Sequence, residues 1–189
     1  MRPAVFLDRD GTIIEDVAYL RDFEHIDVLP WSANAIRSLN LAGFAVVVVT
    51  NQSGVARGYF DEAHVLATHR ALDEKLAAAG ASIDAYYYCP HHPDSPDARY
   101  GAPCDCRKPA AGLLRRAAAD LGLDLAASWT VGDMWRDVQA GASAGTRTIL
   151  IRAGRGGPHP RAPRDAPTPD AILDNLMEAA TWILRSSSR

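Results

Sequence analysis

The sequence predicts an α/β fold, a Rossmann-like three-layer sandwich around a central parallel sheet. Short apolar runs alternate with longer helical patterns along the chain, which is how strands and crossover helices of a parallel sheet are laid out. One run, Phe44-Ala45-Val46-Val47-Val48-Val49, is apolar at every position, as a strand buried on both faces must be. Acidic, hydroxyl and amide side chains follow directly after several of these runs, where open α/β sheets place their ligand sites.

The first strand is expected at residues 5–7, running into Asp8-Arg9-Asp10-Gly11-Thr12. A helix follows over 31–41, with Ser32 as its N-cap, Ala35, Ile36 and Leu39 facing the sheet and Gly43 as its stop. The apolar strand 44–49 ends in Thr50-Asn51-Gln52-Ser53-Gly54. Asp61 caps a long helix that runs to Ala79 and stops at Gly80, and residues 83–88 supply a third strand. After a Cys/His loop at 89–106 come a helix over 110–121, a strand over 129–131 ending at Gly132-Asp133, and a fifth strand at 147–151. Residues 153–169, rich in Gly and Pro, predict a loop or tether without regular structure. Asp170 then caps a closing helix over 170–185, with Ile172, Leu173, Leu176, Trp182 and Ile183 as its core-facing set. No internal repeat interrupts this order. A length of 189 residues, 48% hydrophobic, therefore reads as one domain with a sizeable core.

Composition excludes some functions. A net charge of −3 without a basic run gives no support for nucleic-acid or membrane-surface binding. The N-terminus meets charge at Asp8 before any apolar segment is long enough for a signal peptide or a membrane span, which predicts a cytoplasmic protein acting on a small molecule. An odd number of cysteines, Cys89, Cys104 and Cys106, in a reducing compartment points to metal ligation and not to disulfides.

Two carboxylates at Asp-x-Asp spacing, leaving a strand and turning at Gly11, suit a nucleophile beside a general acid; a solvated acidic turn is the plainer alternative. The other strand ends favour chemistry. Asp8 and Asp10, Thr50 and Asn51, and Asp133 each follow a different expected strand. Carboxylates converging on one pocket repel unless a cation neutralises them, and a hard cation with oxygen ligands, Mg²⁺, answers that need.

These residues, in this order, resemble the haloacid-dehalogenase superfamily of phosphotransferases. Its four motifs are matched by Asp8-Arg9-Asp10-Gly11-Thr12, by Thr50 ending an apolar strand, by Lys108 in Arg107-Lys108-Pro109, and by Gly132-Asp133 followed by Asp137. The resemblance implies Asp8 as nucleophile, Asp10 as general acid/base, Thr50 and Lys108 as phosphate clamps, and Mg²⁺ held by Asp8, Asp10 and Asp133. Asp137 either braces Lys108 or a metal-bound water, or caps the helix that follows. One helix and one strand fill the interval between Asp10 and Thr50, so the site is expected to be open and without a cap domain.

The second constellation is Cys89-Pro90-His91-His92 with Cys104-Asp105-Cys106. Three thiolates and one imidazole close a tetrahedral structural Zn²⁺ site. Cys89, His91, Cys104 and Cys106 are the expected ligands, with His92 as the alternative nitrogen, and the metal would supply the folding energy that so polar a loop lacks. Together with Thr50-Asn51-Gln52-Ser53-Gly54 and Arg57-Gly58, this element resembles the heptose-bisphosphate and histidinol-phosphate phosphatase branch of the superfamily. That resemblance implies substrate contacts at Asn51, Gln52, Ser53 and Arg107, with Asp16 and Tyr19 in the loop after the first motif. Arg107 offers a bidentate fork for a second phosphate. The implied reaction is removal of the C7 phosphate of D-glycero-D-manno-heptose 1,7-bisphosphate, on the way to lipopolysaccharide precursors, with histidinol phosphate as the alternative substrate. Met134 departs from the lysine that the heptose enzymes commonly carry there. A catalytically inactive sugar-phosphate binder and a zinc-ribbon binding module are the rivals from other classes. An open site needs no second subunit, so a monomer is expected.

Overall fold

A strand with no polar position has no face for water, and this chain covers its sheet on both sides. The computed structural model describes residues 1–22, 25–152, 154 and 161–187. Six strands, β1 (Arg2–Leu7), β2 (Ala45–Asn51), β3 (Ala85–Cys89), β4 (Leu123–Gly132), β5 (Arg147–Ile151) and β6 (Ala171–Leu173), form one sheet in the order β3-β2-β1-β4-β5-β6. Every neighbouring pair is parallel. The described helices are α1 (Ser32–Leu41), α2 (Ser53–Ala56), α3 (Glu62–Ala77), α4 (Ala98–Gly101), α5 (Gly112–Leu121), α6 (Trp135–Ala144) and α7 (Leu176–Ser187).

Alternation along the central strands divides the core in two. Val5, Leu7, Val46 and Val48 pack with Ile36 and Leu39 of α1, Leu72 and Leu76 of α3, and Ala179 and Ile183 of α7. Ala4, Phe6, Val47 and Val49 pack against Leu113, Leu114 and Ala117 of α5 and Ala140 of α6. Each strand residue thus buries against one helical layer, as the period of two requires.

The strand order turns back between β1 and β4, because β2 and β3 lie on one side of β1 and β4 to β6 on the other. That reversal opens a crevice at the carboxyl ends of the strands. Leu7 pairs with both Val48 and Val131, so Asp8 leaves the sheet at the crevice. Asn51 pairs with Cys89, which sets the cysteine-bearing loop beside the end of β2.

Several expectations are corrected. Ser32 is the first residue of α1 and not its cap; its buried hydroxyl donates to the Ile13 carbonyl at 2.9 Å, tying the helix start to the first-motif loop. β4 begins at Leu123, earlier than residue 129, with a shift in register against β1 between Pro3 and Val5. The closing helix starts at Leu176, not Asp170, because residues 171–173 extend the sheet as β6. Asp170 instead accepts from the Thr148 amide at 2.8 Å. Ile172 and Trp182 are exposed rather than core-facing, at 51% and 42%. The short helices α2 and α4 were not expected. Of the predicted loop, residues 153 and 155–160 lie outside the described residues, and 161–169 form neither helix nor strand. Among the described residues no helix is long and apolar enough to cross a membrane.

Candidate active site

Three carboxylates meet at the crevice. Asp8 follows β1, Asp133 follows β4, and Asp137 lies in the first turn of α6; one oxygen from each lies within 4.8 Å of the others. Glycines make the approach possible. A Cβ on Gly11, whose φ is +77°, would stand 2.6 Å from an Asp133 oxygen, and one on Gly132 would stand 2.4 Å from the Asp137 carboxyl carbon. Lys108 completes the cluster. Its fully buried Nζ lies 2.9 Å from Asp8 Oδ1 and 2.6 Å from Asp137 Oδ1, and donates to the Val49 carbonyl at 2.7 Å. Asp137 contacts Lys108 with one oxygen, and its other oxygen accepts from the Met134 amide at the start of α6.

Net negative charge in a buried place shifts these groups. Burial, with Asp137 and Asp10 adding to it, pushes the Asp8 carboxyl up to about 6 although Lys108 opposes the shift. Burial and the neighbouring Asp8 and Asp137 push Asp133 up to about 8. Burial works against the Lys108 ammonium, but Asp137 and Asp8 outweigh it and hold its pKa above the ordinary lysine value. Asp133 Oδ1 is buried without a hydrogen-bond partner. Hard oxygen donors, excess negative charge and an unsatisfied carboxylate oxygen together fit Mg²⁺.

Asp10 is placed differently from the sequence expectation. Its carboxylate is outside the three-carboxylate group. Arg9 Nη2 donates to both of its oxygens at 3.0 Å, and Gln52 Nε2 donates to Oδ2 at 2.9 Å. These bonds hold the Asp10 side chain against Arg9 and Gln52. Gln52, expected to touch substrate, also donates to Thr50 Oγ1 at 2.8 Å and accepts from Arg9 at 2.9 Å. Asn51 grips the Lys108 backbone from both sides, accepting from its amide and donating to its carbonyl at 3.0 Å each.

A cleft of about 240 Å³ is lined by Asp10, Asp16, Tyr19, Asn51, Gln52, Ser53 and Arg136 among others. Five of the six expected substrate contacts thus share one cleft. Arg107 does not line it; half-buried, it donates to the His91 carbonyl at 3.0 Å. Burial lowers its pKa, and the nearby Arg136 and Arg57 charges act in the same direction. The first-motif loop is held in a tense conformation, with Ala18 at φ +52° and Tyr19 at φ +93°. Asp16 Oδ1 accepts from the Ala18 amide at 2.9 Å, and the Tyr19 ring meets Tyr59 edge-on at 4.7 Å. Unfavourable backbone angles in non-glycine residues collect at ligand clamps.

The cysteine loop assembles as expected. Cys89, His91, Cys104 and Cys106 bring their ligand atoms within 4.8 Å of one another. Cys89 Sγ lies 3.1 Å from Cys106 Sγ and 3.7 Å from Cys104 Sγ, and His91 Nδ1 lies 3.4 Å from Cys106 Sγ. Zn–S bonds of about 2.3 Å in a tetrahedron put sulfurs ~3.8 Å apart, so the donor set fits zinc with a small expansion. His92 is used elsewhere, with Nε2 3.1 Å from Arg57. Sequence reasoning missed Arg9 and Arg136. A charged residue between two motif aspartates or on a helix start carries no periodic signal, and only the fold shows that one is buried behind Asp10 and the other lines the cleft.

A HAD-hydrolase-like family model matches residues 105–179, which include Lys108, Asp133 and Asp137 of this cluster. The chain belongs to the haloacid-dehalogenase-like hydrolase family, in its phosphatase branch. It is 44% identical over 154 residues to the D-glycero-beta-D-manno-heptose-1,7-bisphosphate 7-phosphatase of Yersinia pestis, an alignment covering 81% of this chain and 82% of the relative. The Salmonella typhi enzyme of the same name is 44% identical over 185 residues, 97% of this chain and 90% of its own. Among solved structures, D,D-heptose 1,7-bisphosphate phosphatase from B. bronchiseptica, complexed with magnesium and phosphate, matches with a TM-score of 0.85 and 37% identity over 98% of this chain and 99% of that one.

Proposed function

We propose that this chain hydrolyses the C7 phosphate of D-glycero-beta-D-manno-heptose 1,7-bisphosphate through an aspartyl-phosphate at Asp8. The observation that carries the chemistry is the contact of Lys108 with both Asp8 and Asp137, with Asp133 alongside. The names of the relatives carry the substrate.

Lys108 and the Arg9 amide both bond to Asp8 Oδ1, which leaves Oδ2 to attack phosphorus. As the new O–P bond forms, the bond to the C7 oxygen breaks, and Asp10 gives that oxygen a proton. Asp10 then takes a proton from water, which attacks phosphorus, breaks the bond to Asp8 and releases inorganic phosphate. Asp8 and Asp133 would hold Mg²⁺, which when bound supplies positive charge against the phosphoryl oxygens. Lys108 supplies further positive charge, and the Thr50 hydroxyl donates to the same oxygens. Asn51 acts by fixing Lys108, while Ser53, Asp16 and Tyr19 meet the sugar from the cleft wall. Zn²⁺ held by Cys89, His91, Cys104 and Cys106 shapes the loop that ends in Arg107 and Lys108. We expect an open, capless, single-domain monomer working in the cytoplasm.

Phosphate release with Mg²⁺ tests the reading, using both anomers of the heptose bisphosphate, fructose 1,6-bisphosphate and histidinol phosphate, with Asp8→Asn as the blank. A large kcat/KM preference for the beta anomer, abolished in the blank, is expected. A preference for histidinol phosphate would replace the substrate assignment, and activity surviving in Asp8→Asn would remove the nucleophile.

A further inference from the structure

We infer that Arg9 and Gln52 are positioning residues, which together fix the Asp10 carboxylate and the Thr50 hydroxyl in the orientations that phosphoryl transfer uses. The inference rests on the roles proposed above for Asp10 and Thr50. Both residues are buried, Arg9 at 2% exposure and Gln52 at 5%. Arg9 bonds through Nε and Nη2, and Gln52 through both its oxygen and its nitrogen.

Donor and acceptor chemistry sets the direction of each bond. Arg9 can only donate, so the oxygen of Gln52 must be the atom facing it, at 2.9 Å. That leaves the two hydrogens of Gln52 Nε2 for Asp10 Oδ2 at 2.9 Å and Thr50 Oγ1 at 2.8 Å. Because Thr50 Oγ1 accepts this bond, its own hydrogen is free to point at a phosphoryl oxygen. Arg9 meanwhile reaches both Asp10 oxygens, with Nε at 3.2 Å and Nη2 at 3.0 Å from Oδ1, and Nη2 at 3.0 Å from Oδ2. The carboxylate cannot rotate without breaking bonds on both oxygens.

One amide thus holds both side chains, with Asp10 Oδ2 and Thr50 Oγ1 each accepting one of its two hydrogens. Arg9 sits inside the first motif and Gln52 directly after β2, so the brace ties two motifs from neighbouring strands.

The measurement is kcat/KM on two esters that differ in leaving group. The heptose bisphosphate releases an alkoxide that needs a proton, whereas p-nitrophenyl phosphate releases a phenolate that does not. Asp10→Asn should lose on the order of 10²-fold or more on the sugar phosphate and far less on the aryl ester. Gln52→Met keeps the volume and removes the donor; it should lose roughly tenfold or more on the sugar phosphate, with the aryl ester again less affected. Gln52→Asn, which keeps an amide but draws it back by one methylene, should show the same skew and serves if the methionine variant does not fold. Equal losses on both esters for a folded Gln52 variant, or no loss, would overturn the inference while leaving the Asp10 role intact. A flat response of Asp10→Asn would remove the acid role and the brace with it.

Discussion

His69 shows how one residue can set a pH dependence. It lies on α3, 4% exposed, with its ring stacked on Tyr86 at 4.3 Å and its Nε2 without a hydrogen bond. Burial, then the Arg9 charge, lowers its pKa to about 3 against the pull of Asp10. The folded protein therefore keeps His69 neutral, while the unfolded chain takes up a proton near pH 6.5. A pKa depressed by folding gives stability that is present above the unfolded value and is lost as pH falls from about 6.5 towards 3. Urea unfolding at pH 7 and pH 5 should show the natural chain losing about 2 kcal/mol more than His69→Phe over that interval. Parallel losses would mean that His69 is protonated in the fold. Nothing in the sequence announced this residue, because a histidine on a helix reads alike whether it faces water or a buried arginine. Asp8, Asp133 and Lys108 were legible for the opposite reason: their motifs join a residue type to a strand end. Asp10 was legible as a position but not in its contacts, which depend on Arg9 and on Gln52, distant in sequence.

The cysteine loop is the element whose stability cannot come from packing. Between Cys89 and Cys106 no described residue is fully buried, and the supports are polar: Tyr100 donates to Glu62 at 2.9 Å and Ser95 to the Ala56 carbonyl at 2.7 Å. Two such bonds, at about 1 kcal/mol each, do not offset the ordering of so many residues. Zinc at the proposed site would supply the rest, and its effect would reach the site because Cys106 is two residues from Lys108, whose backbone Asn51 grips at the end of β2. Chelation followed by restoration of Mg²⁺ alone should lower both Tm and kcat, and Zn²⁺ should recover both. Protein shown to be zinc-free by elemental analysis yet unchanged in Tm and kcat would sink the idea. Residue spacing was enough to read this loop, because ligand type and turn length are local. β6 escaped because three residues carry too little pattern, and Asp170 looked like a helix cap while bonding to the neighbouring strand. The strand order likewise depended on contacts that no local pattern records, although the parallel sheet itself followed from the alternation of elements.

Across the whole molecule, charge is distributed against its net sign. The chain carries −3 overall, and three of its carboxylates are buried together in the site, yet the proposed substrate brings two phosphates. Attraction must therefore be local. Lys108 is buried and committed to Asp8 and Asp137, which leaves the rim. Arg136 is exposed on α6 and lines the cleft with Asp10, Asp16 and Ser53, and its charge is felt by Asp8, Asp133 and Arg107. It stands two residues beyond Met134, and it is an exposed cation on the cleft wall. A partly exposed charge contact contributes about 1 kcal/mol and is screened by salt. Arg136→Ala should therefore raise KM for the bisphosphate about fivefold with little change in kcat. The difference from the natural chain should shrink as ionic strength rises from ~0.05 to ~0.5 M, because the Debye length falls from more than 10 Å to only a few. A monophosphate substrate should show a smaller change, since only one phosphate remains and Lys108 already serves it. An equal rise for both substrates, or one indifferent to salt, would place Arg136 in the support of the fold and return recognition of the second phosphate to Arg107.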